Sequence, residues 1–317
     1  MNTTAEVGLE QHPVVDPPGA ASQRRLRMTR IATPYALLLP AALLYGLFIV
    51  YPILRQFDIS FYTWHIFPGV HNPFVGWSNY AKIFHDPAIR TAAWNTLLFL
   101  LFTVPIQMLL GLVAAALLTD RLPGRGLWRA LIFLPVVTSW VVVSYVFAYI
   151  FAQQGGLANA VLSLFSGHAV HIDWLAQTWT GNAVIWIVSI WKGVGWSFIM
   201  FLAALDGVPR DLVESGRVDG ASEPRIWRHV VIPNIRPTIT FVLVLLVIGA
   251  SQVFTQVYIT TGGGPFGSTG VLLTYAYQQA FSFFNFSYAA AIASLMAVVV
   301  LGLSIMQIRL MRRNDDS

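Results

Sequence analysis

The sequence contains no cysteine, which removes disulfide frameworks, thiolate nucleophiles and cysteine-ligated metal sites. Charge is scarce as well: only 10% of the 317 residues are Asp, Glu, Lys or Arg, against about 25% in a soluble domain. Lysine occurs twice, at Lys82 and Lys192, followed by Ile83 and Gly193. The G-x-x-x-x-G-K-[ST] loop that cradles nucleotide phosphates is therefore missing. The long apolar runs hold no histidine, aspartate or glutamate. That leaves no H-E-x-x-H metal helix inside the membrane and no carboxylate to follow a coupling ion, so an intramembrane enzyme and an ion-coupled secondary carrier both lack their machinery. No catalytic or metal site is expected.

What is abundant is apolar: 56% of the residues are hydrophobic. Six runs, near 33–54, 92–118, 129–152, 183–205, 238–258 and 288–308, reach the roughly 20 residues a helix needs to cross a hydrocarbon core. Each is continuously apolar, whereas a barrel strand alternates over about ten residues. The expected fold is all-α, a polytopic membrane helical bundle with six transmembrane helices. Fifteen of the 19 basic residues precede the first run, separate the second from the third, or follow the fourth and the sixth. The loops 153–182 and 259–287 have no Lys or Arg, and 55–90 has only Arg55, Lys82 and Arg90. The positive-inside rule then puts both termini in the cytoplasm, N-in and C-in. A pI near 9.6 reflects that topology and implies no nucleic acid. Residues 1–30, with Pro13, Pro17, Pro18 and arginines at 24, 25, 27 and 30, read as a flexible cytoplasmic tail. Residues 31–310 read as the transmembrane domain and 311–317 as a second tail. The first span outruns the about 7 to 15 apolar residues of a signal peptide and is expected to stay as an anchor.

One polar stretch interrupts this plan. The loop 207–237 contains ESGRVDGASEPRIWRHVVIPNIRP, from Glu214 to Pro237, far beyond the about 4 to 6 residues of a typical connection. Pro209 suits a first helical turn, Asp211 and Glu214 complement the amino end of a helix dipole, and Arg217 complements its carboxyl end. Asp219-Gly220 signals a turn. Ser222 is placed to cap a second short helix, with Ile226, Trp227, Val230 and Val231 on its apolar face and Pro233 and Pro237 at its end. That face needs a partner: the ends of the chain's own helices, or the groove of a separate cytoplasmic protein.

In residue type and spacing the stretch resembles the cytoplasmic signature of ATP-binding-cassette importer permeases: E-A-A, three residues, G, nine residues, I-x-L-P. Glu214 opens it, Gly220 holds the glycine, and Val230-Val231-Ile232-Pro233 closes it. Ser215 and Gly216 stand for the alanines, and Val230 and Ile232 for isoleucine and leucine. Residues 74–96, 191–209 and 261–281, among them WKGVGWSFIMFLAALDGVP and TGGGPFGSTGVLLTYAYQQAF, are similar to blocks of the carbohydrate-type permeases. The resemblance spans nearly the whole chain after the tail. It implies a non-catalytic subunit of an ATP-driven, binding-protein-dependent importer for a sugar or related polyol, in the cytoplasmic membrane of a bacterium or archaeon. The partners it implies are a homologous second permease, two cytoplasmic ATPase subunits that bind ATP and Mg, and an extracytoplasmic solute-binding protein, all in or beside the lipid bilayer. This chain itself would hold no cofactor. The resemblance assigns coupling to Glu214, Ser215, Gly216, Asp219, Gly220 and Pro233. Helix 209–218 becomes a coupling helix between spans four and five, with Glu214 as its ionic contact. Asp219 and Gly220 form its corner, and Pro233 separates it from span five. The competing role for Glu214 is an ion pair with Arg210 or Arg217.

The cargo path is sought among polar residues at membrane depth. Ser251, Gln252, Thr255 and Gln256 lie in the fifth run, and helical spacing would bring Gln252, Thr255 and Gln256 to one face. They either line a path or glue helices together; in maltose-type relatives the equivalent region lines the sugar site. Lys192, mid-way along the fourth run, either lines the path or reaches an interhelical carbonyl or water. A glycerol-phosphate or glycerophosphodiester cargo is the alternative to a sugar, with Lys192 as its anion partner. Tyr275, Tyr277 and Asn285 are weaker candidates for an external gate.

Overall fold

The computed structural model describes residues 35, 37–66, 69–119 and 123–313. The chain divides into two units, Met1–Arg55 and Gln56–Ser317. The tail 1–30, Arg121 and residues 314–317 lie outside the described residues.

In chain order the helices are α1 (Leu37–Ile59), α2 (Ser78–His85), α3 (Pro87–Thr119), α4 (Arg125–Val137), α5 (Trp140–Ile150), α6 (Leu157–Ser166), α7 (Thr178–Asp206) and α8 (Arg210–Val218). They continue with α9 (Glu223–Ser251), α10 (Thr255–Thr260), α11 (Leu272–Phe281) and α12 (Phe286–Arg313). Among the described residues the only β pairing is an isolated bridge between Tyr62 and Phe74. Among the described residues five helices, α1, α3, α7, α9 and α12, are long and apolar enough to cross a membrane, and the bent pair α4 and α5 makes a sixth crossing if counted as one.

A hydrocarbon core offers no water to unpaired backbone groups, which favours helices that satisfy themselves. Seven hydroxyls inside the apolar helices follow the same rule. Thr96, Thr103, Ser144, Ser189, Thr240, Ser251 and Ser304 each donate to the carbonyl four residues back, at 2.7 to 3.0 Å.

Four expectations about helix boundaries are corrected. The third run, 129–152, is no single helix: α4 and α5 meet at 98°. Pro135 sits in the last turn of α4, Thr138 and Ser139 are extended, and the Ser139 hydroxyl accepts from the Val141 N–H at 3.3 Å to start α5. The fifth run, 238–258, stops at Ser251, and Gln252 to Phe254 are irregular before α10 begins. Pro233 separates nothing, because α9 runs unbroken from Glu223 to Ser251. The residues Trp227–Val231 form a π-helical turn in which the Ile232 N–H bonds the Trp227 carbonyl, five residues back. The wider turn absorbs the following proline, which lacks an N–H and would otherwise crowd the preceding turn. Gly46–Val50 in α1 is a π turn too, with Pro52 two residues beyond it. Helix α1 also reaches Ile59, so Arg55 belongs to a helix and not to a loop.

Within the second unit, α3 and α7 pack closely. A Cβ on Gly111 would lie 2.6 Å from that of Ser197 and 3.0 Å from the Phe198 nitrogen, so this crossing depends on a missing side chain. One core joins Leu118, Phe198, Phe201, Leu205, Ile226, Ile235 and Val242, and a second joins Phe99, Val104, Ile185, Val247, Val253 and Val257. At the other end Asp86 ties three elements together. Its Oδ1 accepts the Ala88 N–H at 2.9 Å, and its Oδ2 accepts the hydroxyls of Tyr275 and Tyr288 at 2.8 and 2.7 Å. Burial pushes the carboxyl up, but those hydroxyls and the backbone N–H groups outweigh it and hold it below the usual carboxylate value. Burial, and then the Asp86 carboxylate, push Tyr275 up to about 12. Tyr275 is thus part of a strut.

Candidate functional site

Two regions carry the candidate residues. The first is the corner between α8 and α9. Gly220 has φ 76°, a left-handed value that glycine adopts without steric cost. The Gly220 N–H bonds the Arg217 carbonyl at 3.0 Å, and the Ala221 N–H bonds the Gly216 carbonyl at 3.0 Å. This crossed pair of bonds terminates a helix at a left-handed glycine. Ser222 occupies the position before the next helix, without a side-chain capping bond.

Ile226, 2% exposed, joins the core of α3, α7 and α9. The chain's own helix ends therefore take the apolar face that sequence left open between two partners. Gly216 packs against Ile226: a Cβ there would sit 3.4 Å from Ile226 Cγ1, an ordinary contact. Arg217 reaches across the corner to Glu223 at 2.8 Å. Glu214 is exposed and, among the described residues, makes no ion pair. No residue of α8 is buried, and Leu212 and Val218 are 46% and 87% exposed. Beside it lies a cleft of about 370 Å³ bordered by Asp206, Arg210, Glu214, Arg217 and Trp227. Helix α8 thus projects an acidic and apolar face.

The second region is a cavity of about 410 Å³ bordered by α3, α4, α5, α7 and α9 to α10. Lys192 is the middle residue of the 29-residue α7, so the cavity lies near half-depth of the span. The structure brings Gln252, Thr255 and Gln256 to it together, though not as one helical face. The break after Ser251 puts Gln252 at the end of α9 and the other two on α10. Ser251 instead donates to its own helix and borders a separate apolar groove with Leu97, Leu100 and Met296.

Sequence reasoning missed Thr103, Gln107, Trp140, Ser189 and Trp196, which share the cavity wall. The signal for Gln107 and Ser189 was a lone polar residue inside an apolar run. Gln107 lies against Gly193, where any Cβ would overlap its amide. Among the described residues, no hydrogen bond holds the side chains of Gln107, Gln252 or Thr255, whereas Gln256 Nε2 reaches the Ser189 hydroxyl at 3.4 Å. Hydroxyl and amide groups thus face the cavity beside the rings of Trp140, Trp196 and Phe254.

Lys192 takes the interhelical role. Only 4% exposed, it donates its three N–H groups to the carbonyls of Pro135, Val136 and Thr138 at 2.8, 3.1 and 2.7 Å. Its ammonium also sits 4.9 Å from the centre of the Trp140 ring. The bend leaves the carbonyls of Val136 and Thr138 without helical partners, while that of Pro135 also accepts the Thr138 hydroxyl at 2.6 Å. The lysine borders the cavity but has no donor left for an anion.

Residues 107–315 match the family described as binding-protein-dependent transport system inner membrane component. The chain is 35% identical over 273 residues to the lactose transport system permease protein LacF of Rhizobium radiobacter, covering 84% of this chain and 90% of that one. It is 31% identical over 288 residues to the sn-glycerol-3-phosphate transport system permease protein UgpA of Pectobacterium atrosepticum, covering 88% and 94%. Its fold matches a chain in the crystal structure of a bacterial alginate ABC transporter in complex with an alginate pentasaccharide-bound periplasmic protein. The TM-score is 0.77 at 24% identity, over 90% of this chain and 96% of that one.

Proposed function

This chain belongs to the family of binding-protein-dependent transport system inner membrane components, and we propose that it forms one wall of the path by which an ATP-driven importer admits a neutral, hydroxyl-rich solute such as a sugar. As a permease subunit of an ABC transporter it is a multi-pass protein of the cytoplasmic membrane. The observation that carries the cargo reading is the cavity wall. Amides at Gln107, Gln252 and Gln256 and the hydroxyl-bearing Thr255 border the cavity beside aromatic rings, the combination that suits a sugar's hydroxyls and its apolar ring face, while the hydroxyls of Thr103 and Ser189 in the same wall donate to their own helices. An anionic cargo finds no free cation there, because the Lys192 donors are engaged. Similarity to a glycerol-3-phosphate permease keeps that cargo in the test.

Force is generated elsewhere. In this reading a homologous permease completes the path, two ATPase subunits bind ATP and Mg below, and an extracytoplasmic binding protein delivers cargo above. Both termini and α8 face the cytoplasm. The exposed side of α8, with Glu214, Ser215 and Val218, seats in a cleft of the ATPase, Glu214 meeting a basic group. The corner at Asp219 and Gly220 passes the motion to α9, and because α9 runs without interruption to Ser251, a push at the corner reaches Gln252 at the cavity. Pro233 is carried inside that lever.

The test is uptake by vesicles containing the whole complex and its binding protein. ATP-dependent entry of a neutral saccharide, with its apparent affinity reduced at least fivefold by Gln252→Ala together with Gln256→Ala, supports the reading. Uptake confined to glycerol phosphate, or uptake without ATP, overturns it.

A further inference from the structure

We infer that α6 is an interfacial helix that lies in the outer leaflet and anchors one wall of the cavity to the lipid surface; the side of the membrane rests on the orientation proposed above. Helix α6 has the sequence LANAVLSLFS. At 100° per residue, Leu157, Ala160, Val161, Leu164 and Phe165 fall on one face. That face points outward, with Leu157 57%, Val161 51%, Leu164 81% and Phe165 84% exposed.

Asn159 and Ser163 point inward. Asn159 is 4% exposed, and its Nδ2 donates to the carbonyls of Gln153 and Ile172 at 3.1 and 2.9 Å while its Oδ1 accepts the Trp174 indole N–H at 2.9 Å. Ser163 donates to the Asn159 carbonyl at 2.7 Å and accepts the Val170 N–H at 2.8 Å. This inverts the pattern of a helix on a water-soluble surface, where the polar side faces out.

Lipid suits the face better than protein does. From Ala130 to Ile172 the chain holds 43 residues without one Asp, Glu, Lys or Arg, so this segment supplies no charged side chain to the rim of a protein interface. It follows α5, the second half of the bent pair, after six residues, and Val142, Tyr145, Val146 and Tyr149 of α5 are likewise exposed. Tyr149 and Trp179, 68% and 67% exposed, are of the type that marks a membrane–water boundary. Five side chains on one short helix amount to a few hundred Å², below the roughly 800 Å² per partner of a standard protein interface.

The anchorage bears on the cavity. Trp174, held by Asn159, packs edge-on against Phe151 at 5.6 Å, at the outer end of α5. The inner end of α5 carries Trp140 of the cavity wall.

The chain's lack of cysteine makes the test direct. Phe165→Cys and, separately, Leu164→Cys are labelled with an environment-sensitive fluorophore in the full complex in phosphatidylcholine vesicles. They are exposed to iodide or to phospholipids carrying a spin label near the headgroup or near the chain end, with Arg125→Cys, at the exposed start of α4, as a parallel site. Shallow-label quenching at least twofold above deep-label quenching, with iodide quenching at least fivefold below that at Arg125, supports the proposal. Iodide quenching equal to that at Arg125 overturns it. So does protection gained only when the binding protein is added, or protection without lipid quenching, which marks a covering permease. The side from which an impermeant thiol reagent reaches Arg125 reports orientation independently, so a failure there is separable from a failure at α6.

Discussion

The corner at Asp219–Ala221 and the bend at Val137–Trp140 both turn the chain sharply between two helices, yet different forces hold them. The corner closes on itself: a left-handed glycine, two backbone bonds within six residues, and the Arg217–Glu223 pair at 2.8 Å. Water can reach the groups it leaves over. The bend joins two apolar helices that make one crossing if counted together, and at membrane depth an unpaired carbonyl costs several kcal/mol. Its carbonyls are taken by Lys192, 54 to 57 residues away in the chain. A turn at the surface can be specified locally, whereas a turn in lipid requires a donor delivered by another helix.

Breaking the bend is expected to have the largest effect. Lys192→Met leaves the Val136 and Thr138 carbonyls unpaired and the Pro135 carbonyl with Thr138 alone, and the loss should be about 3 kcal/mol or more of stability. Thermal unfolding of the purified complex should shift down and transport should fall at least 100-fold; an unchanged melting point would mean that the lysine does not hold the bend. At the corner, Glu214→Lys should leave stability within about 0.5 kcal/mol, since exposed charges contribute little. Transport-coupled ATP hydrolysis should nevertheless drop at least tenfold, and an unaltered rate would remove Glu214 from the docking face.

Three glycine replacements sharpen the contrast. Gly220→Ala forces a Cβ into the left-handed region at φ 76° and should cost about 1–2 kcal/mol, read as a lowered unfolding midpoint. Gly193→Ala should keep the fold but push the Gln107 amide aside, changing the apparent affinity for cargo a few-fold with little change in maximal rate. Gly216→Ala is the opposite of Gly220→Ala, because its Cβ meets Ile226 at an ordinary 3.4 Å. It should stabilise α8 by about 0.5–1 kcal/mol with transport unaltered; destabilisation there would show that the corner is strained.

The same contrast explains what could be read in advance. The corner was legible because Pro209, Asp219 and Gly220 act on their neighbours. The bend was not, because Pro135 alone does not specify 98° and its lysine partner is distant in sequence. Pro233 was misread as a stop, since a π turn depends on how Ile226 and Val231 pack into the core. In the cavity, Gln252, Thr255 and Gln256 stood out as a polar cluster. Gln107 and Ser189 stood alone in apolar runs, and a single polar residue there says nothing about which cavity it faces.

The most direct test of force reaching the cavity from outside the chain uses Thr255→Cys as the only thiol in this subunit. In sealed vesicles containing the complex with cysteine-free partners, an impermeant reagent added on the binding-protein side should modify position 255 at rates differing at least tenfold between the ATP-trapped and nucleotide-free states. Glu214→Lys should erase that difference. Equal modification in both nucleotide states, or a difference that survives Glu214→Lys, would contradict the account.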